Sequence, residues 1–167
     1  DMIPDFDTLA EAVVNYECMG AAKLRKQDST AKALYVFLHT NPFREDLPQR
    51  YPSTVLNLPV PTNSSIELAR YAKEGLKKLY KPGYMYKKAG VMMMESSDRN
   101  PYQMILFDTI DRGKHDRRME TMDRINNRHG RNTLRLAAQG DGKRWKIRQE
   151  KLCPYYTTRL KDIPVAT

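Results

Sequence analysis

This 167-residue sequence has few of the residues that build metal centres or covalent crosslinks. It contains two cysteines, Cys18 and Cys153, and three widely separated histidines, His39, His115 and His129. Ligands this sparse make a structural zinc site improbable, and two distant cysteines form no disulfide framework. We therefore expect a reducing, cytoplasmic environment and two cysteines that behave as small buried apolar residues.

Several other signals are also missing. No run reaches the roughly 18 apolar residues that a membrane span requires, and no signal peptide is recognisable. The glycine-rich motifs of P-loop and dinucleotide-binding proteins are absent. Asp5 and Asp7 have the spacing of a metal-binding pair, but acids just before a helix more commonly stabilise its N-terminus. The sequence thus predicts no catalytic residue, no metal site, no cofactor and no membrane contact.

Positive charge is abundant, and it is unevenly distributed. The net charge is +9 and the isoelectric point is about 9.6. Residues 1–30 carry three Lys/Arg against six Asp/Glu, whereas residues 109–167 carry fifteen against seven. A surplus of this size favours a polyanion such as nucleic acid as partner. The last third of the chain looks like a functional unit of its own.

Apolar periodicity and turn residues predict alternating helices and strands. Two helices are predicted to begin at the capping boxes 8–11 and 64–67, and a third helix is predicted at 116–129. Strands are predicted at 31–40, 53–58 and 84–94. Residues 133–138 and 144–150 are predicted to form a hairpin. Leu9, Val13, Tyr16 and either Met19 or Gly20 are expected to form the apolar stripe of the first helix. The unbroken apolar run 34–38 predicts a strand that is buried on both faces.

Five basic residues are candidates for contact with a phosphate backbone. They are Lys32, Arg44, Arg50, Lys87 and Lys88. Neighbouring strand residues point to opposite faces, so at most one of the two adjacent lysines should reach a given partner directly. Solvated lysines that keep a sheet edge soluble are the alternative interpretation.

The sharpest short signal is Gln103-Met104-Ile105-Leu106-Phe107. It follows a polar stretch at 95–102, and its glutamine amide could bond at the mouth of a pocket. The leucine and phenylalanine could fill a hydrophobic groove as anchors. The pattern therefore predicts a peptide that binds a partner protein, with an ordinary strand as the alternative.

Eight short motifs, in this order along the chain, resemble those of the Y-family translesion DNA polymerases of the UmuC type. They begin at Phe37 (Phe-Leu-His-Thr-Asn-Pro-Phe), Tyr86 (Tyr-Lys-Lys-Ala-Gly-Val-Met), Gln103 (Gln-Met-Ile-Leu-Phe), Met122 (Met-Asp-x-Ile-Asn), Gly130 (Gly-Arg-x-Thr-Leu), Ala138 (Ala-x-Gly), Trp145 (Trp-x-Ile-Arg) and Leu152 (Leu-Cys-Pro-x-Tyr-Thr-Thr-Arg). No single motif is decisive, but their shared order makes coincidence implausible.

The resemblance implies an α+β fold. Residues 1–97 would be a little-finger domain, a βαββαβ unit with two helices on one face of an antiparallel sheet. Its first strand would fall at and before residues 1–3, so that the strand is truncated and leaves an unpaired neighbour. Residues 98–115 would be a linker that contains the 103–107 peptide, and residues 116–167 a basic extension with a short helix, a β-hairpin and a tail.

The resemblance also implies a function in SOS lesion bypass. The chain would be a non-catalytic C-terminal region, with the Mg²⁺-binding carboxylates of the parent polymerase upstream. Its sheet would grip primer-template DNA, and the 103–107 peptide would hold the sliding clamp. A UmuD-type accessory subunit, contacted through residues 152–167, and RecA would be further partners.

Two other functions remain open on the sequence alone. The run 34–38 resembles the RNP2 strand of an RRM, which would make the chain an RNA-binding module, although no RNP1 run of Lys/Arg-Gly-Phe/Tyr type is present in 84–94. Alternatively, the chain is a pure protein-interaction module whose charge only aids solubility. Phosphate binding should weaken steeply with salt, and this second alternative predicts no such dependence.

Overall fold

The fold is α+β, as predicted, with helices and antiparallel strands alternating along the chain. The computed structural model describes residues 2–95, 97–98, 110–141 and 145. The elements are α1 (Phe6–Lys26), β1 (Ser29–Thr40), β2 (Ser53–Thr62), α2 (Ser65–Leu79), β3 (Tyr86–Met94), β4 (Ser97–Asp98) and α3 (Arg112–His129), followed by a single 3-10 turn at Ala137–Gln139.

β1 is the central strand of the sheet, with β2 on one side and β3 on the other. All pairings are antiparallel, and β4 pairs with the first two residues of β1. Ile3 forms an isolated bridge to Tyr86, in which each N–H donates to the other carbonyl at 2.8 and 3.1 Å. This bridge lies where the truncated first strand of the βαββαβ unit was expected.

The main core lies between the inner face of the sheet and the two helices α1 and α2. Leu34, Val36 and Leu38 of β1 are fully buried there against Leu68 and Leu76 of α2. Each such side chain contributes roughly 1.5–3 kcal/mol relative to an exposed position. None of the helices described is long and apolar enough to cross a membrane.

The prediction that β1 is buried on both faces is wrong. Tyr35, Phe37 and His39 alternate with the buried residues and are only half-buried. Both helices pack on the same face of the sheet, so among the described residues no layer covers the other face. The apolar run is continuous because aromatic residues occupy the outer positions.

β2 extends further than predicted, because Pro59 and Pro61 lie within it instead of ending it. In the described sheet β2 is an edge strand, where a residue without an N–H removes no ladder bond on the open side. The pairing with β1 shifts register between Ala31 and Ala33. The shift accommodates the proline segment.

α1 begins one turn earlier than its predicted capping box. Asp5 is the N-cap, and its Oδ1 accepts a hydrogen bond of 2.8 Å from the backbone N–H of Thr8. Tyr16 and Met19 were expected in the apolar stripe but are about half exposed. The buried side of α1 instead includes small residues and a carboxyl group, which a hydrophobic stripe does not reveal.

α2 begins at the predicted place, but its capping box does not form. Ser64 is the N-cap and makes no side-chain capping bond. Its hydroxyl lies 3.2 Å from Nδ1 of His115 in α3, while Glu67 accepts from Thr62 at 3.2 Å. Contacts with distant residues have replaced the local ones.

α3 packs on α1 and α2 through polar contacts. Arg25 donates two hydrogen bonds to Asp123, at 2.6 and 2.8 Å, and Arg112 approaches Glu67 at 3.5 Å. α3 begins at Arg112, inside the range predicted as linker. As predicted, the helix buries its methionine side and ends at Gly130.

The first strand of the predicted C-terminal hairpin is absent. Residues 133–136 form no strand, and Ala137–Gln139 forms a 3-10 turn. This turn is held on α1, where Asn15 Nδ2 donates to the carbonyl of Gln139 at 2.7 Å and Gln139 Nε2 donates back to Asn15 Oδ1 at 3.2 Å. The second predicted strand, 144–150, lies outside the described residues apart from Trp145.

Glu17 is a buried acid at the centre of the helix layer. It is fully buried, its Oε1 has no hydrogen-bond partner among the described residues, and the Cys18 thiol donates to its Oε2 at 3.3 Å. Burial raises the pKa of Glu17 to about 8, and burial together with Glu17 also raises the pKa of the Cys18 thiol. Glu17 is therefore mainly protonated at neutral pH.

The raised pKa of Glu17 makes stability depend on pH. The unfolded chain loses this proton near pH 4.5 and the folded chain near pH 8, so the contribution is complete at low pH and declines across that window. The slope is at most about 1.4 kcal/mol per pH unit. Urea unfolding of E17Q from pH 5 to 8 should show a flatter decline than the wild-type chain.

An exposed acid on α2 provides the matched control, because E74Q also replaces a carboxyl by an amide. E74Q should keep the wild-type pH dependence. Equal slopes for E17Q and the wild-type chain would contradict a proton held by Glu17.

Candidate nucleic-acid interface

The outer sheet face is the side of the sheet opposite α1 and α2. The pairing registers of β1 with β2 and β3 define its members. Its central members are Tyr35, Phe37 and His39 of β1 with their partners Ser53 and Val55 of β2 and Lys88, Gly90 and Met92 of β3. None of these eight residues is acidic.

Four rings form a continuous aromatic row on this face: Tyr35, Phe37, His39 and Tyr51. The centroid distances between neighbours are 5.9, 5.0 and 5.5 Å in that order. All of these are within the range of favourable ring contacts. The first three rings come from alternate residues of β1, and the fourth comes from the chain just before β2.

Gly90 allows the Phe37 ring to lie close to the sheet. The two residues are paired across β1 and β3, and a Cβ added at Gly90 would lie 2.5 Å from Cζ of Phe37. Any larger residue would push the ring away. The glycine thus fixes the height of the ring above the sheet.

Aliphatic side chains extend the outer sheet face around Tyr35. Val55 and Met92 are its partners on the two neighbouring strands, and they are 50% and 55% exposed. Exposed apolar groups that cluster in this way commonly mark a binding surface.

Three of the five predicted phosphate-binding residues lie at one end of the sheet. Lys88 pairs with His39, and Arg50 lies beside Thr40, whose N–H donates to the Arg50 carbonyl at 3.0 Å. The Arg50 guanidinium lies 5.7 Å from the centre of the Tyr84 ring. Arg50, Lys87 and Lys88 form a basic cluster at this end of the sheet, in which the Arg50 side chain lies against Tyr84, a ring packed on the core.

The two adjacent lysines are both exposed. The pairing shifts between His39, opposite Lys88, and Thr40, opposite Tyr86, so that Lys87 is an extra residue in β3. The strict alternation behind the expectation that only one lysine reaches a partner is interrupted here.

The other two predicted residues do not join the cluster. Lys32 is exposed but lies seven residues along β1 from His39, which is roughly 23 Å in a strand. Arg44 donates two hydrogen bonds to Asp46, at 2.7 and 2.6 Å, in the loop between β1 and β2. This pairing raises the pKa of Arg44 and lowers that of Asp46, and it compensates the charge locally.

The other predicted site residues are not among those that the structure describes on this face. The peptide residues Gln103, Met104, Ile105, Leu106 and Phe107 lie outside the described residues and stay a prediction. Asp5 serves as a helix cap, and no group of three or more His, Cys, Asp or Glu in the described part of the chain is placed to hold a metal ion.

A second basic surface is carried by α3, which packs on the helices and not on the sheet. Its exposed basic residues are Lys114, Arg117, Arg118, Arg124 and Arg128. The positive charge of α3 therefore lies apart from the basic cluster of the sheet.

Sequence reasoning missed the aromatic row. Its signal is present in the sequence, because Tyr35, Phe37 and His39 recur at every second position of a strand. The signal was obscured by the aliphatic residues between them. Tyr51 could not be found in this way, since the loop that brings it beside His39 has no periodicity.

Family comparisons match the two ends of the chain separately. The impB/mucB/samB family C-terminal domain matches residues 1–106, and a domain of unknown function (DUF4113) matches residues 116–166. No solved structure matches the chain at a significant level.

Individual relatives match nearly the whole chain. Protein UmuC of Salmonella typhimurium is 32% identical over 164 residues, 98% of this chain and 39% of its own length. Protein ImpB of Salmonella typhimurium is 33% identical over 167 residues, which are 99% of this chain and 39% of the relative. Protein MucB of Escherichia coli is 32% identical over 161 residues, which are 95% of this chain and 37% of the relative. The chain thus spans about two fifths of the length of these relatives.

The contact of Gly90 with Phe37 predicts a specific cost for added volume. G90A should lower the free energy of unfolding by about 1–3 kcal/mol, because the new methyl group displaces the ring. In an F37A background, G90A should lower the free energy of unfolding much less. Urea unfolding of the wild-type chain, G90A, F37A and the double variant measures this coupling.

G113A is the control, since a Cβ at Gly113 in α3 would meet nothing closer than 3.6 Å. It should be neutral or slightly stabilising. If G90A lowered the free energy of unfolding equally with and without the Phe37 ring, the proposed packing of Phe37 against Gly90 would be incorrect.

Proposed function

The chain belongs to the impB/mucB/samB family of UmuC-type Y-family proteins, and on this premise we propose that it is the DNA-gripping, non-catalytic C-terminal region of a translesion DNA polymerase. The observation that carries the proposal is the outer sheet face, which has no acidic member and a basic cluster at one end. A surface without acidic groups and with lysines at one end fits the phosphate backbone of primer-template DNA.

Contact with phosphates positions a protein on DNA without reading sequence. That suits an enzyme that must work on damaged templates, whose bases vary. Arg50, Lys87 and Lys88 are the residues that would make these contacts. Lys32 could meet the backbone only further along the DNA, and Arg44 would first have to leave Asp46.

The parent protein would supply the chemistry of nucleotide transfer. Its Mg²⁺-binding carboxylates would lie outside this chain, which covers only 37–39% of the length of the relatives it matches. The role of this chain is then to hold DNA in place while the rest of the enzyme acts on it.

The peptide of residues 103–107 would tether the enzyme to the sliding clamp. Two weak attachments on one chain raise the effective concentration of each at the primer end. The clamp would thereby keep the polymerase near a stalled terminus without any sequence-specific contact.

The basic surface of α3 would be available to a different partner. α3 packs on α1 and α2, so DNA held on the outer sheet face leaves its exposed arginines uncovered. A UmuD-type accessory subunit or RecA would fit this role. The observation that supports it is the placement of α3 and not its charge alone.

The RNA-binding alternative has less support. The aromatic residues of the outer sheet face lie on β1 and in the loop before β2, while the outward positions of β3 are Lys88, Gly90 and Met92. An RRM stacks bases on aromatic residues of two motifs, and the second of these is missing.

Loss of a lysine from the basic cluster should weaken DNA binding. K88A should bind primed duplex DNA several-fold less tightly near 0.1 M salt, and the slope of log affinity against log salt should fall by about one. Fluorescence anisotropy at four salt concentrations measures both values.

K77A removes the same charge from α2 and should change neither value. An equal effect of K77A and K88A would argue against a specific DNA-binding site on the sheet. Tighter binding of single-stranded RNA than of primed duplex in the same titration would favour the RNA-binding module.

Removal of the peptide anchors should abolish the tether. Replacement of Gln103, Leu106 and Phe107 by Ala should weaken clamp binding at least tenfold, because the anchors supply the apolar contact. Calorimetry with purified clamp measures the affinity, and DNA binding by the same variant should be unchanged. Undiminished clamp affinity would remove the tether from the proposal.

A further inference from the structure

We propose that the aromatic row is a stacking platform for the unpaired bases of single-stranded DNA. The inference rests on the proposed DNA-binding function and adds a second kind of contact to it. The basic cluster holds phosphates, whereas the aromatic row contacts the flat faces of bases. The two contacts can be separated by experiment, because only one of them requires a base.

The aromatic row has the geometry of such a platform. Its three rings on β1 come from every second residue, and alternate residues of a strand are roughly 7 Å apart. Phe37 is held at the sheet surface by the space above Gly90. Tyr51 continues the row beyond His39 at 5.5 Å. An extended strand could therefore place successive bases along successive rings.

The rings are open to a ligand. Tyr35, Phe37 and His39 are half-buried, and Tyr51 is 50% exposed. Neighbouring rings are in contact, with centroids 5.0–5.9 Å apart, and these contacts limit their movement before a ligand binds. Ordered rings lose little conformational entropy on binding, and this favours affinity.

An unpaired base fits this surface better than a duplex does. In a double helix the base faces are already stacked on one another, so a protein ring can reach only edges, sugars and phosphates. Bases in single strands expose their faces and stack on aromatic side chains whatever their identity. A row of several rings is therefore matched to a single strand.

Charge complementarity favours a nucleic acid over an apolar protein partner. The outer sheet face has no acidic member, and Lys88 pairs with His39 near one end of the aromatic row. A strand stacked along the row would bring its phosphates toward this basic cluster. Val55 and Met92 flank the other end, where they can pack against a base or sugar.

Abasic DNA separates stacking from phosphate contact. The 167-residue chain is titrated with a fluorescent single-stranded oligodeoxynucleotide and with a strand of equal length made of abasic sites, which keeps the phosphates and lacks the bases. We expect the normal strand to bind about tenfold or more tightly than the abasic one. F37L and Y51L should each reduce this ratio several-fold, and K88A should weaken both strands alike.

Y16L is the matched control, because Tyr16 is an exposed ring on α1 and should leave the ratio unchanged. Tyr51 lies outside the core, so Y51L tests the platform even if F37L unfolds the sheet. Equal binding of the two strands by the wild-type chain, with salt dependence retained, would overturn the stacking platform and leave the phosphate grip intact. Failure to bind any DNA would overturn both.

Discussion

The structure depends on the packing of one face of a thin antiparallel sheet against two helices. Leu34, Val36 and Leu38 supply the inner side of the central strand, and their burial is the main stabilising contribution of that strand. Because α1 and α2 both lie on this side, no layer among the described residues covers the other face. Tyr35, Phe37 and His39 of β1 lie half-buried on that face. A surface of that composition is suited to a ligand with flat, apolar faces and negative charge.

The position of α3 depends on a different kind of interaction. Only Met119 and Met122 of this helix are buried, and its orientation is set by the Arg25–Asp123 pair and the contact of Arg112 with Glu67. Loss of one partner from a mostly buried pair is costly, because the other charge remains without compensation. Such pairs also specify one docking geometry. In the described part of the chain, the basic residues of α3 thus lie on a different surface from those of the sheet.

The candidate site could be predicted from the sequence only in part. Arg50, Lys87 and Lys88 were predicted from their charge, and the two lysines also from their place in a strand. The structure places all three at one end of the sheet. Charge alone could not show that Arg44 is paired with Asp46 or that Lys32 lies at the far end of β1. The aromatic row was not predicted, because a strand with apolar residues on both faces has the same sequence pattern whether one of its faces is covered or not. Only the location of the helices distinguishes the two cases.

The sequence by itself determined the order of the elements, the type of most of them and the family. These properties follow from periodicity, turn residues and short motifs, which are local along the chain. The tertiary structure decided which sheet face stays open, that Glu17 keeps its proton, and that residues 137–139 form a turn on α1. Each of these depends on groups far apart in sequence, as with Asn15 and Gln139, which are 124 positions apart. Burial and hydrogen bonding between such groups outweigh local preference, and no local pattern encodes them.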